Sequence, residues 1–297
     1  MMENDKKGGS VGLDIDSPKK SVEELRELAK QFSEREKEKE SSDPIPEEFK
    51  NPEGEEQKFY QSRDGFEEVR ILRGMYETMP LFETLDSAKA FICGGYARWM
   101  CSPRQEPVPP SDVDVYCFDK DTFDALRAAL SATLTQKHEN DVCVSFEKPK
   151  DSQHGYFSIP PVQLIKPMRH ARVVTDGTME EILKNFDFTV IRIGIQFFKE
   201  TKTAIGLADA DFIHDETGKI LRLKNIHCPI SSNYRVIKYC RRGYWIRPAQ
   251  MLKLFLDWEQ RDDAYRAKIV DYLTRSQSGQ NLTQEEINDL EALMRID

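Results

Sequence analysis

Nowhere does the chain approach the eighteen or so consecutive apolar residues that a membrane-crossing helix needs, and its N-terminus, MMENDKKGGS, has no apolar centre of the signal-peptide kind. Both absences predict a cytoplasmic protein with no membrane partner. Paired cysteines are also lacking. The six present (Cys93, Cys101, Cys117, Cys143, Cys228 and Cys240) include no CxxC and follow no regular spacing. They therefore read as reduced, mostly buried thiols. His227 beside Cys228 resembles half of a zinc site, but no second pair lies at a workable spacing, so a structural role is expected for both. An excess of positive charge is missing as well. The formal charge of −9 argues against a protein that coats nucleic acid generally.

The acidity is uneven. Residues 1–60 sum to −6, which leaves −3 for the other 237. Residues 1–55 are rich in Glu and Lys and poor in aromatics. Such a stretch buries too little apolar surface to offset its conformational entropy, so a largely disordered arm is expected. Within it Ser21 and Glu24 have capping-box spacing, and Val22, Leu25, Leu28, Ala29 and Phe32 recur at helical spacing. That piece reads as a solvated helix or as a docking helix for a partner.

Beyond the arm the texture becomes that of a folded domain. Phe66, Val69, Leu72, Met75 and Tyr76 have helical spacing and predict a helix over 66–76. Residues 88–93 form a short apolar run halted by Gly94-Gly95, which predicts a buried strand ending in a tight turn. A helix should begin at Tyr96, followed by a loop holding Pro103, Pro107, Pro109 and Pro110. Further strands are expected over 112–118, 142–146 and 162–165, helices over 121–134 and 179–185, and a long β-branched run over 188–198. After about residue 230 the pattern is helical, with Thr283 and Glu286 spaced to cap a last helix.

The chemistry concentrates in FICGGYARWMCSPRQEPVPPSDVDVYCF, residues 91–118. Asp112 and Asp114 are two apart on a predicted strand, so both carboxylates leave the same face while Val113 and Val115 point into the core. Carboxylates held that close repel unless a cation lies between them. Mg2+ suits the pair, being a hard ion completed by phosphate oxygens and water. Gly94-Gly95 lets backbone N–H groups approach a phosphate with no Cβ in the way. Arg98, one turn on, is placed to reach the same phosphates. A GG pair alone is usually a turn, and an Asp-x-Asp alone is usually a solvated edge. In the order strand, GG, helix, loop, strand they become specific.

This arrangement resembles the head domain of the nucleotidyltransferase superfamily. Asn185-Phe186-Asp187-Phe188-Thr189 resembles the Arg-Arg-Asp-Phe-Thr motif of bacterial-type CCA-adding enzymes and poly(A) polymerases, and FIHDETGKILRL (212–223) resembles the turn before their neck. Arg235, Lys238, Arg241 and Arg242 before Gly243-Tyr244 resemble their Arg-x-x-Arg neck helix, in a chain short enough to resemble phage-type stand-alone forms. The resemblance, over about 88–250, implies Asp112 and Asp114 as catalytic metal ligands and Gly94, Gly95 and Arg98 as the triphosphate motif. It further implies Asp187 as shaping the nucleotide pocket and Arg235 as lying near the incoming base. Lys238 joins the nucleotide-binding set through a basic patch of Arg235, Lys238, Arg241, Arg242 and Arg247, interleaved with Tyr234, Tyr239, Tyr244 and Trp245 that either stack bases or belong to the core. Three departures stand out. Trp99 replaces an Asp of the glycine motif, Gln163 stands where a third acid is common, and Ser232 replaces the Asp that helps read C and A. On this reading Ser232→Asp should shift usage toward CTP and ATP.

The expected protein is thus α+β: an arm over 1–55, a mixed-sheet nucleotidyltransferase-like head with flanking helices over 56–225, and a small all-helical neck and C-terminal region over 226–297. Its expected activity is Mg2+-dependent transfer of a nucleoside monophosphate from an NTP, ATP or CTP foremost, to an acceptor such as the 3′ end of a tRNA or other RNA. The rival readings are a non-catalytic nucleotide- or RNA-binding module, a protein-modifying transferase, and an interaction protein working through its arm.

Overall fold

Apolar alternation along the strands dictates a sheet buried on both faces. The computed structural model describes residues 65–277 apart from 86–89, 105–108, 150–158, 171–172, 199–200 and 202, together with 27, 30, 31, 283, 285 and 286. The predicted arm, with its Ser21/Glu24 capping box, lies almost wholly outside the described residues. Eight strands form one mixed sheet in the order β1-β10-β9-β2-β3-β6-β5-β4. They are β1 (Phe66–Val69), β2 (Ala90–Cys93), β3 (Val113–Cys117), β4 (Thr135–Glu139), β5 (Cys143–Glu147), β6 (Val162–Ile165), β9 (Ile193–Phe198) and β10 (Thr203–Asp209). Of the neighbouring pairs only β3 and β6 run parallel; the rest are antiparallel. The short strands β7 (Arg169–His170) and β8 (Val173–Val174) form a separate ribbon.

One face of the sheet carries α1 (Met75–Thr84), α2 (Gly95–Cys101) and α3 (Lys120–Thr133). Leu81, Ala97, Met100, Leu126 and Leu130 pack there against Val113, Val115 and Cys117 in the largest apolar cluster. The opposite face meets α4 (Met179–Leu183), whose Met179, Ile182 and Leu183 cover Phe91, Cys93, Tyr116 and Ile165. Local chemistry fixes where these helices start. Asp119 caps α3 through Thr122 N at 2.8 Å, and Thr178 and Glu181 form a reciprocal capping box on α4. A single-turn 3-10 segment (Thr189–Ile191) then leads into β9, and α5 (Phe212–Gly218) and β11 (Ile220–Leu221) follow β10. Prolines at the first helical turn open α6 (Pro229–Cys240) and α7 (Pro248–Glu259), where the missing N–H costs nothing. A third cluster joins this region to the head: Phe188, Val190, Leu221 and Leu223 pack with Val236, Tyr239, Tyr244 and Leu254. The last long helix, α8, is Asp263–Gln277. Thr283 and Glu286 form the predicted reciprocal cap, at 2.8 and 3.2 Å.

Two expectations need correcting. Residues 66–69 are an edge strand, because the three-residue spacing of Phe66 and Val69 also places them on opposite faces of a strand, one in each apolar cluster. The region after 226 is not purely helical: β12 (Trp245–Ile246) pairs parallel with β11. Residues 135–139, all exposed and without apolar alternation, form the edge strand β4. Its Lys137–Glu147 ion pair (2.7 Å) and other charges make a poor template for further strand addition.

Candidate active site

β3 delivers the carboxylates. Val113 and Val115 are fully buried on the helix-covered side, so alternation turns Asp112 and Asp114 to the other side, where both line a cleft of about 490 Å3. Gln163 on β6 sits in register beside Asp114, and its amide donates to Asp112 Oδ2 at 3.2 Å. The hydroxyl of Ser111 donates to the same oxygen, also at 3.2 Å. Burial first, and then the neighbouring charge of Asp112, push the Asp114 carboxyl up to about 7, although Arg235 and Lys238 draw it back. A carboxylate held this unfavourably gains from a cation. The donors here are hard oxygens: two carboxylates and the amide of Gln163. Among the described residues no group of three acids, histidines or cysteines gathers, which leaves coordination positions for phosphate oxygens and water, as Mg2+ prefers.

Gly94 forms the rim beside them. It adopts φ 73°, which favours glycine, and a Cβ there would stand a tight 3.2 Å from the Phe186 ring. Gly95 also lines the cleft. Phe186, packed edge-on to Tyr116 at 5.9 Å, supplies an aromatic wall that periodicity did not single out.

Asp187 lies deep in the cleft, 3% exposed, with its backbone carbonyl pinned by Lys224 N at 2.7 Å and Asn225 N at 3.3 Å. Both Arg235 Nη1 and Ser232 Oγ donate to its Oδ2 at 2.9 Å. Its Oδ1 is buried without a hydrogen-bond partner among the described residues. Arg235 thus already has a carboxylate, supplied by Asp187 rather than by position 232. A buried acceptor left unmatched costs about 1–3 kcal/mol, so Oδ1 is ready for an N–H or O–H donor from a ligand. Lys238, one turn after Arg235, lines the same cleft, as does Arg242 in the turn after α6.

Arg98 is not brought to the cleft. It is fully buried, and Nη1 donates to Glu216 Oε1 at 2.7 Å and to Tyr244 OH at 2.9 Å. Ser102 Oγ and Tyr244 OH complete the cage around Glu216 at 2.7 and 2.6 Å, and burial followed by Glu216 holds the Tyr244 phenol well above its ordinary range. The guanidinium that the sequence pattern assigns to phosphates instead fastens α2 to α5 and to the end of the neck. Its partners lie more than a hundred residues away, and no spacing rule points to them. The basic patch divides similarly: Tyr239 and Tyr244 are core, whereas Tyr234 (66%) and Trp245 (47%) are exposed, the latter under the Arg247 guanidinium at 5.6 Å. His227 contacts Asn225 at 3.0 Å and Cys228 contacts Tyr265 at 3.4 Å, so neither forms part of a described metal cluster.

Solved structures of CCA-adding enzymes and tRNA nucleotidyltransferases are similar to this chain. A CCA-adding enzyme in complex with CTP is 14% identical, with a TM-score of 0.45 over 70% of this chain and 52% of that one. The Thermotoga maritima CCA-adding enzyme complexed with tRNA is 12% identical, with a TM-score of 0.45 over 71% and 55%. A tRNA nucleotidyltransferase complexed with a primer tRNA and an ATP analogue is 15% identical, with a TM-score of 0.39 over 70% and 72%. The chain spans about half the length of the first two. No family model and no curated protein sequence matches it.

Proposed function

We propose that the protein is a metal-dependent nucleotidyltransferase that moves a nucleoside monophosphate from an NTP, ATP or CTP foremost, to an RNA 3′ end and releases pyrophosphate. The observation that carries the reading is the shared cleft: Asp112, just before β3, and Asp114 on it face the cleft while Arg235 and Lys238 face it from α6. Asp112 and Asp114 would hold Mg2+, which when bound lowers the pKa of an attacking hydroxyl and offsets charge on the leaving oxygens. Gly94 keeps the floor beside Asp114 clear of side chains. Phe186 offers a face for a base or ribose, and Asp187 Oδ1 accepts a donor from the nucleoside. The exposed Tyr234 and Trp245, with the half-buried Arg247 over the Trp245 ring, are suited to stack against and neutralise a single-stranded acceptor. We assign residues 56–225 to the catalytic head, 226–297 to the neck region and 1–55 to a dispensable arm, in a cytoplasmic protein.

One observation favours a second reading. Gln163, beside Asp114, brings no charge to the carboxylate pair, as a binding module without catalysis could tolerate. Incubation with each α-labelled NTP, Mg2+, total RNA and cell lysate separates the readings. Labelled RNA and released pyrophosphate, both lost in Asp112→Asn/Asp114→Asn, are the expected result. Nucleotide binding without any transfer would favour the binding module, labelled protein would change the acceptor, and undiminished transfer by the double variant would remove the assignment of this site.

A further inference from the structure

We propose that the nucleotide's triphosphate is gripped from the neck side of the cleft by Lys238 and Arg242, and not by Arg98 from the glycine turn. The proposal rests on the nucleotidyl-transfer reading and adds the residues that recognise the polyphosphate. Arg235, Lys238 and Arg242 follow one another at three and four residues, the spacing of a single helical face, and all three line the cleft that holds Asp112, Asp114 and Gly94. Their partners differ. Arg235 is engaged with Asp187 at 2.9 Å. Lys238 has no ion pair or hydrogen bond from its side chain among the described residues, and Arg242 has only the Tyr239 ring, 5.4 Å from its guanidinium. Both are exposed, so the cleft presents two cations without an ion pair among the described residues, in the same cleft as two carboxylates.

Like charges at this spacing repel each other, while Tyr239, between them in sequence, carries the packing. A polyanion fits this arrangement chemically. Its oxygens could meet a dication on the carboxylate wall while the remaining charge met Lys238 and Arg242 on the helix wall. A nucleoside monophosphate brings less charge to divide between the two walls. The α2 side offers no substitute, since Arg98 is fully buried against Glu216 and Tyr244. Recognition should therefore depend on phosphate number, with the discriminating charge on α6 and the turn after it.

The test is equilibrium binding of ATP, AMP and inorganic tripolyphosphate to the full chain at fixed free Mg2+. Lys238→Gln and Arg242→Gln, each at an exposed position, are compared with wild type after thermal melts show intact folding. Each should weaken ATP and tripolyphosphate about ten-fold while AMP changes less than about two-fold, and the double variant should bind ATP with a shallower salt dependence. Arg242→Lys should keep most of the affinity. Equal loss for ATP and AMP, or unchanged ATP binding in the double variant, overturns the clamp while leaving nucleotidyl transfer standing. Wild-type binding of tripolyphosphate without any preference for nucleotides would keep the clamp and overturn the transfer reading. Failure of the wild type to bind any polyphosphate would overturn both.

Discussion

Arg98→Met separates two incompatible uses of one guanidinium. In the structure Arg98 and Glu216 are both fully buried, and methionine fills much of the arginine's volume without its charge. Glu216 would keep the hydrogen bonds from Ser102 and Tyr244 but lose its countercharge. Removing one partner of a buried ion pair costs about 3–5 kcal/mol. The two remaining donors place this case near the lower end, at about 3 kcal/mol. For a folded region of roughly two hundred residues each kcal/mol moves Tm by about 2–4 °C, so a fall of about 6–12 °C is expected. Adding Glu216→Gln removes the stranded charge and should recover at least half of the loss, a coupling readable from denaturant midpoints in a double-mutant cycle. ATP affinity, measured by calorimetry well below the melting range, should stay within about two-fold of wild type. An unchanged Tm together with a ten-fold or larger loss of ATP affinity would show that Arg98 works at the phosphates, and the latch described here would be wrong.

Two other outcomes follow from the cleft. In chelator-treated protein Asp114 holds its proton up to about pH 7, whereas an unfolded Asp releases it near its ordinary value of 3.8. The folded chain thus binds the extra proton, and stability falls as pH rises from about 4 through 7. Asp114→Asn should therefore raise Tm above pH 7, on the order of 2 kcal/mol in stability, and change little at pH 4; equal Tm values across the range would refute the burial of this charge. Ser232→Asp should destabilise by about 1–3 kcal/mol without turning selectivity toward CTP and ATP, because position 232 is buried with its hydroxyl on the Asp187 carboxylate. A stable variant with sharpened C and A usage in a four-nucleotide kcat/KM comparison would restore the simpler sequence-based expectation.

That reversal over Ser232 shows where sequence reading stops. Elements whose cause is local were legible: β3 from the alternation of Val113 and Val115 with Asp112 and Asp114, the turn at Gly94 from its glycine, the late cap from Thr283 and Glu286. Two-residue periodicity also placed both carboxylates on one face before any tertiary contact was known. Partnerships across the chain were not legible. Asp187 lies 45 residues from Ser232 and Glu216 lies 118 from Arg98, and no spacing rule reaches that far. Residues 66–69 failed for another reason, since a period of three fits either a helical stripe or the two faces of an edge strand, and only the neighbouring β10 decides between them.

The same distinction governs what a substitution means. Ser232, taken alone, is a lost carboxylate beside Arg235 and hence a lost reader of bases. With Asp187 in view it is a neutral donor that shares one oxygen with Arg235 and leaves the other open. An aspartate at 232 would have to stand against Asp187 in a buried site, where like charges are most costly. Serine at 232 and aspartate at 187 are therefore coupled. The pairing needs one carboxylate, and in this chain the bend between α4 and the 3-10 turn provides it. Base selectivity is then to be sought at Asp187 Oδ1, buried without a hydrogen-bond partner among the described residues. For that reason Asp187→Asn, which exchanges an open acceptor for an amide, should disturb nucleotide ranking more than any change at Ser232 that preserves its hydroxyl.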